Sequence, residues 1–176
     1  MAFSKIAAEN LGGSTLPALA GGSLTGISGG KIIQRVITQN QDIADGDITT
    51  SSSSFESSGI EVTITPTSAS NMIDVYFNCT MTTSNSSNEG NVMCYVNDSN
   101  ATWQGGSSPS GNFWQVAYKW DSGNKYAPIT WSGRYDPSDT SALKFTIYFR
   151  RESGSGMGCR FHSSSSYFLS ATEVAV

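Results

Sequence analysis

Histidine and cysteine are scarce in this chain, with one His and three Cys in 176 residues. Metal centres and nucleophilic triads draw on those residue types at set spacings, and no CxxC or HxxxH pattern occurs. His162 lies in CRFHSSSS, without a nucleophile or carboxylate at motif spacing, and is expected as a surface or rim histidine. Three cysteines are an odd number, far below the density of a disulfide scaffold.

Charge is also sparse. Charged residues make up 14% of the chain, the net charge is −4 and the sequence pI is near 4.8. A binder of polynucleotide phosphates carries a basic face, so no nucleic-acid partner is expected. No apolar run of about 18 residues occurs, and the N-terminus lacks a charged n-region and an apolar h-region, so neither membrane insertion nor export by a classical signal is expected. The acidic residues gather in DIADGD (Asp42 to Asp47) and DPSD (Asp136 to Asp139). Turn chemistry accounts for both, and the first lacks the distal glutamate of a calcium loop. GGSSPSG (Gly105 to Gly111) has no lysine and no strand-to-helix context, so it is no phosphate cradle. No catalytic, cofactor or metal residue is therefore expected, and the chain reads as non-enzymatic.

Short strands and polar loops are what the composition favours, with 18 Gly and abundant Ser, Thr and Asn. In GIEVTITPTSASNMIDVYFNCT (Gly59 to Thr80), Ile60, Val62 and Ile64 alternate with polar residues. Pro66 to Asn71 breaks the run, and Ile73, Val75, Phe77 and Cys79 resume it. Period-two alternation about a turn cluster predicts a hairpin of two half-buried strands. If Val92 to Val96 pairs with Val75 to Cys79, then Cys79 and Cys94 share a side, as buried free thiols or as a cross-strand disulfide. Further strands are expected at Ile32 to Ile37, Asp47 to Thr50, Phe113 to Trp120, Ala127 to Gly133, Ala142 to Arg151 and Tyr167 to Val174. In Ala142 to Arg151, Leu143, Phe145, Ile147 and Phe149 form a core face, while Lys144, Thr146, Tyr148 and Arg150 form a wet or subunit-facing one. The total is about eight strands, with no βαβ alternation, which predicts an all-β fold: a single antiparallel β-sandwich, jelly-roll-like, over residues 31–176.

Aromatic residues concentrate in one segment. It holds Trp103, Trp114, Trp120 and Trp131, with Tyr126 and Tyr135 beside them. Large aromatics serve a core, a subunit contact or a ligand-stacking platform, sugars included, and all three roles stay open for this set.

Residues 1–30 form a separate, extended arm. Phe3, Ile6, Ala7 and Leu11 have the spacing of a short helix ended by Gly12 and Gly13. In STLPALAGGSLTGISGG that follows, Leu16, Leu19, Leu24 and Ile27 are separated by Gly, Ser and Pro, so the segment cannot bury enough surface to fold by itself. Such an arm is most simply ordered by lying on another chain; the other reading tucks it against its own domain.

The arm's STLPALAGGSLTGISGGKIIQ resembles the linkers of tail fibres and other surface proteins of tailed bacteriophages, marine ones especially. The blocks KIIQRVIT, GIEVTITPTSASNMIDVYFNC and YFLSATEVAV are similar to small fibre or virion structural proteins of such phages. The resemblance implies a homotrimeric virion component with a β-rich head, made in the host cytoplasm, released by lysis and displayed on the virion surface. Two placements follow from it. One is a capsid decoration protein or short head fibre, anchored to capsid or tail proteins through Phe3, Ile6, Leu11, Leu16, Leu19, Leu24 and Ile27. The other is a tail fibre or receptor-binding tip that meets host surface glycans. The absence of room for a long shaft favours the first.

Overall fold

The computed structural model describes residues 31–40, 48–83, 89–99, 101, 103, 116–119, 125–153, 159–161 and 166–176. Ten strands run through them: β1 (Ile32–Asn40), β2 (Ile48–Thr49), β3 (Glu56–Ile64), β4 (Met72–Thr83), β5 (Glu89–Val96), β6 (Val116–Lys119), β7 (Lys125–Tyr135), β8 (Leu143–Ser153), β9 (Cys159–Phe161) and β10 (Tyr167–Val174). No helix occurs among the described residues. The expected arm helix at Phe3 to Leu11 lies outside them, as does His162.

All strand pairs are antiparallel, and five of them nest: β1 with β10, β2 with β9, β3 with β8, β4 with β7 and β5 with β6. First pairs with last, second with second to last, and so inward, as in one long ribbon doubled on itself. Three further pairings roll that ribbon up. β10 and β9 lie along one edge of β4, opposite β7, and β8 pairs with β5. The products are a six-stranded sheet, ordered β1-β10-β4-β9-β2 with β7 on the other edge of β4, and a four-stranded sheet, β3-β8-β5-β6.

The two sheets face each other across one apolar core. Each strand contributes alternate residues: Ile60, Val62 and Ile64 from β3; Ile73, Val75, Phe77 and Cys79 from β4; Leu143, Phe145, Ile147 and Phe149 from β8, all buried. Side-chain parity in a strand is fixed by the pleat, so the alternation in the sequence identifies these faces correctly.

Pairing partners are another matter, and the expected hairpin is not formed. β3 and β4 belong to opposite sheets, and Pro66 to Asn71 carries the chain across the sandwich between them. Alternation says which face is apolar without saying what lies at the strand's edge, and a short connection spans the roughly 10 Å between packed sheets as readily as it closes a hairpin. For the same reason β5 pairs with β6 and β8, not with Val75 to Cys79. Cys79 and Cys94 both point into the core, from opposite sheets, as free thiols.

One buried carboxylate ties the crossing down. Glu173 of β10 is fully buried. It accepts hydrogen bonds from Asn71 Nδ2 (2.6 Å), Gln34 Nε2 (2.7 Å), and the backbone N and Oγ1 of Thr67 (both 2.7 Å). Burial works to raise its pKa. The bonds from Asn71, Gln34 and Thr67 outweigh burial and hold the carboxyl at about 2.

Candidate functional site

Of the aromatic set singled out by composition, the structure assigns several members to packing. Trp103 and Trp131 are each 2% exposed and meet edge to face at 4.8 Å. Tyr135, half-buried, leans on Trp103 at 5.8 Å and on Phe145 at 5.8 Å. These three do not present a platform to a ligand; they fill one end of the core. Gly133 makes room for them, since a Cβ there would sit 2.7 Å from Trp103 Cε3 and 2.8 Å from Trp131 Cη2. Trp114 and Trp120 lie outside the described residues, as do Phe3, Ile6, Leu11, Leu16, Leu19, Leu24 and Ile27. Tyr126 stands opposite Thr82 in the β4–β7 register, and its side chain is not among those described.

The surface features that stand out lie on the outer faces of the two sheets. On the four-stranded sheet, Tyr95 of β5 and Tyr148 of β8 stack with ring centroids 4.0 Å apart. Phe55 packs against Tyr95 at 6.1 Å, and the Arg150 guanidinium sits 4.7 Å above the Phe55 ring. Asn97 and Asp98 turn the chain after β5 with φ of 51° and 61°, a left-handed geometry that Asn and Asp tolerate better than most residues. This turn brings Asp98 to Lys144 Nζ at 2.7 Å and to Tyr148 Oη at 3.4 Å. The hydrogen bond to Asp98 raises the pKa of Lys144. Desolvation and then the Asp98 charge raise that of Tyr148. Lys144, Tyr148 and Arg150 therefore do share an outer face, as their alternation predicts. Thr146 on that face is 1% exposed, and its Oγ1 has no hydrogen-bond partner among the described residues.

The outer face of the six-stranded sheet is less covered. Register sets its outward residues in rows across β1, β10, β4 and β7: Gln39, Phe168, Asn78, Thr130; then Ile37, Ser170, Tyr76, Ser132; then Arg35, Thr172, Asp74, Arg134. Large side chains on β1 and β4 flank small ones on β10, and Ser132 keeps β7 low beside Tyr76. The result is a depression of ≈ 450 Å³ floored by Ser170, Thr172 and Ser132 and walled by Arg35 and Tyr76. Two apolar residues of the middle row are exposed, Ile37 at 46% and Tyr76 at 40%, and Tyr76 lines the depression. Arg35 lies 5.4 Å from the Phe168 centroid, and Tyr76 meets Phe168 edge to face at 6.0 Å. Arg134 and Asp74 close the far end as a bidentate pair, whose hydrogen bond raises the arginine pKa.

No group of three or more His, Cys, Asp or Glu capable of holding a metal occurs among the described residues. The DPSD turn is organised by Asp139, which accepts from the Ser141 backbone N at 2.7 Å, while DIADGD lies outside the described residues. Burial pushes the Cys79 thiol up to about 12 and the Cys94 thiol upward as well, so neither offers a thiolate at neutral pH. What both faces offer is aromatic and arginine-rich contact area, the composition enriched at protein interfaces. Sequence reading marked half of one such face and none of the other, because Ile33, Arg35 and Ile37 read there only as part of an apolar strand. Compared with family models and with curated proteins, the chain matches none.

Proposed function

We propose that the chain is a non-enzymatic surface protein of a tailed bacteriophage virion, a capsid decoration protein or short head fibre. In this reading residues 1–30 anchor it to the particle, and residues 31–176 form a jelly-roll head that associates as a homotrimer. The observation that carries the reading is the nested pairing of the strands, with the doubled ribbon rolled so that β10 and β8 pair again with β4 and β5. That connectivity is what two interlocked Greek keys produce, and double-sheet folds of this kind recur in viral capsid and lectin domains. The resemblance of the arm and of three sequence blocks to phage surface proteins points the same way. Support for the trimer comes from the Tyr95, Tyr148, Phe55 and Arg150 cluster, since Tyr and Arg dominate the energetics of subunit contacts. The test is an image of the particle carrying a C-terminally tagged copy. Density for the tag over the capsid shell supports the reading; density at the tail tip moves the protein to host recognition, and its absence from particles refutes a virion role.

A further inference from the structure

We propose that the depression on the outer face of the six-stranded sheet binds a sugar that carries a carboxylate, such as a uronic acid unit. The site is built from β1, β4, β7 and β10 alone, so it does not depend on where a particle displays the head. Three charged side chains line it, Arg35, Asp74 and Arg134. Arg134 is neutralised by Asp74 through two hydrogen bonds, whereas Arg35 has only Ser170 Oγ at 3.4 Å and the Phe168 ring at 5.4 Å, with no carboxylate partner among the described residues. One guanidinium is left uncompensated, in a chain whose net charge is −4. Its planar fork matches the two oxygens of a carboxylate, and its single charge balances one such group, where a phosphate monoester brings about −1.5 to −2 at pH 7.

Most of the remaining lining is hydroxyl. Ser170 is 2% exposed at the floor; its Oγ accepts from Arg35, while its own hydrogen has no acceptor among the described residues. Thr172 and Ser132 beside it have no side-chain hydrogen-bond partner there either. Each Asp74 oxygen accepts one N–H from Arg134 and keeps a further lone pair for an incoming hydroxyl. The ring hydroxyls of a sugar both donate and accept, so they answer both kinds of group, which a bare carboxylate would leave unused. Tyr76, 40% exposed, adds an aromatic wall against which the C–H surface of a sugar ring can pack. The volume of ≈ 450 Å³ falls within the roughly 300–1,000 Å³ of small-molecule sites. A polynucleotide fits poorly, because successive phosphates call for several free cations and the depression supplies one.

Titration of the full-length chain with methyl glucuronoside, followed through the Arg35 Nε–H and Tyr76 resonances in NMR spectra, tests this. Saturable shifts are expected at both. Methyl glucoside, which lacks the charge, and acetate, which lacks the ring, are each expected to bind at least about tenfold more weakly, the scale of one lost charge-assisted hydrogen bond. Arg35→Gln is expected to abolish the preference for the charged sugar, read at Tyr76. Thr172→Val is expected to weaken both sugars severalfold and to leave acetate unchanged. Neither side chain belongs to the core, and an otherwise unaltered spectrum verifies that each variant is folded. Acetate or inorganic phosphate binding as tightly as the glucuronoside overturns the proposal and leaves a plain anion contact. Equal binding of the two sugars, or no shift with either, overturns it as well.

Discussion

Asn71 donates a 2.6 Å hydrogen bond to the carboxylate of Glu173, joining residues 102 positions apart in the chain. Asn71 ends the crossing from one sheet to the other, and Glu173 lies in the strand that closes the chain, so this contact locks the rolled ribbon at one end. Hydrogen bonds to a charged group contribute roughly 1.5–3 kcal/mol each, and removing the acceptor strips buried Asn71 of its 2.6 Å partner and the more exposed Thr67 of the acceptor of both its bonds. Glu173→Ala is expected to lower stability by about 2–4 kcal/mol, and Glu173→Gln by less, in chemical denaturation at pH 7.

The same group sets a pH dependence. Its folded pKa, near 2, lies below the ordinary 4.5, so the stability it contributes is present in full above about 4.5. As pH falls from about 4.5 towards 2, that stability is lost. Thermal melts from pH 7 to pH 3 are expected to show the wild-type advantage over Glu173→Gln shrinking across this window. A gap that stays constant to pH 3 would mean that the carboxylate is not held low.

Phe145, fully buried in β8, faces Trp103 at 5.9 Å and Tyr135 at 5.8 Å. Phe145→Ala is expected to cost about 3–5 kcal/mol, the range for emptying a large buried site. Tyr148→Ala, three strand positions beyond on the outer face, should cost far less. Urea titrations followed by circular dichroism compare the two, and equal losses would contradict the assignment of faces.

Gly133 lies between two tryptophans, both closer than 3.0 Å to where a Cβ would sit. The rings are buried and cannot swing into solvent, so Gly133→Ala is expected to destabilise by about 1–3 kcal/mol. Tryptophan fluorescence should shift with it, since Trp103 and Trp131 must separate. An unchanged midpoint and an unchanged emission maximum would show that the Trp103 and Trp131 pair has slack.

How much of this could be read in advance depends on range. Every residue expected in the core from Ile60 to Phe149 is buried, because the two-residue period is a local property of the pleat. The strand Tyr167 to Val174 is found with those bounds for the same reason. Partnership is non-local, and Pro66 to Asn71 carries turn residues whether the chain reverses within one sheet or crosses to the other. Glu173 gives no signal in the sequence, because a lone acidic residue in YFLSATEVAV has no periodic signature; its role comes from Thr67 and Asn71, which only the folded chain brings near. The tryptophans stand out as a group in the sequence, yet a tally of aromatics cannot separate core from surface. The register does, by placing Trp131 opposite inward-facing Phe77.

Oligomeric state is measurable directly. On the proposed trimer, with the Tyr95, Tyr148 and Arg150 face as its contact, light scattering at micromolar concentration is expected to return three times the 18.7 kDa chain mass. Tyr148→Glu should then shift the population towards monomer by placing a carboxylate near Asp98 within the contact, while leaving the circular dichroism spectrum unchanged. A wild-type monomer would remove the trimer from the reading, and an intact trimer in Tyr148→Glu would move the contact elsewhere.

Attachment is the expectation on which the functional reading turns. The arm's apolar residues, Phe3, Ile6, Leu11, Leu16, Leu19, Leu24 and Ile27, sit on a glycine-rich backbone whose ordering costs about 1–2 kcal/mol per residue. Contacts beyond the arm itself must offset that cost, whereas the head has its own closed core and all its nested strand pairs without residues 1–30. Deleting residues 1–30 is therefore expected to leave a folded, soluble head with the strand-rich circular dichroism of the full chain and no affinity for particles that lack the wild-type protein. Sedimentation of particles after mixing with either form reads the difference. If the truncated head co-sediments at the occupancy of the full chain, the attachment surface belongs to the sandwich, and the arm has some other partner.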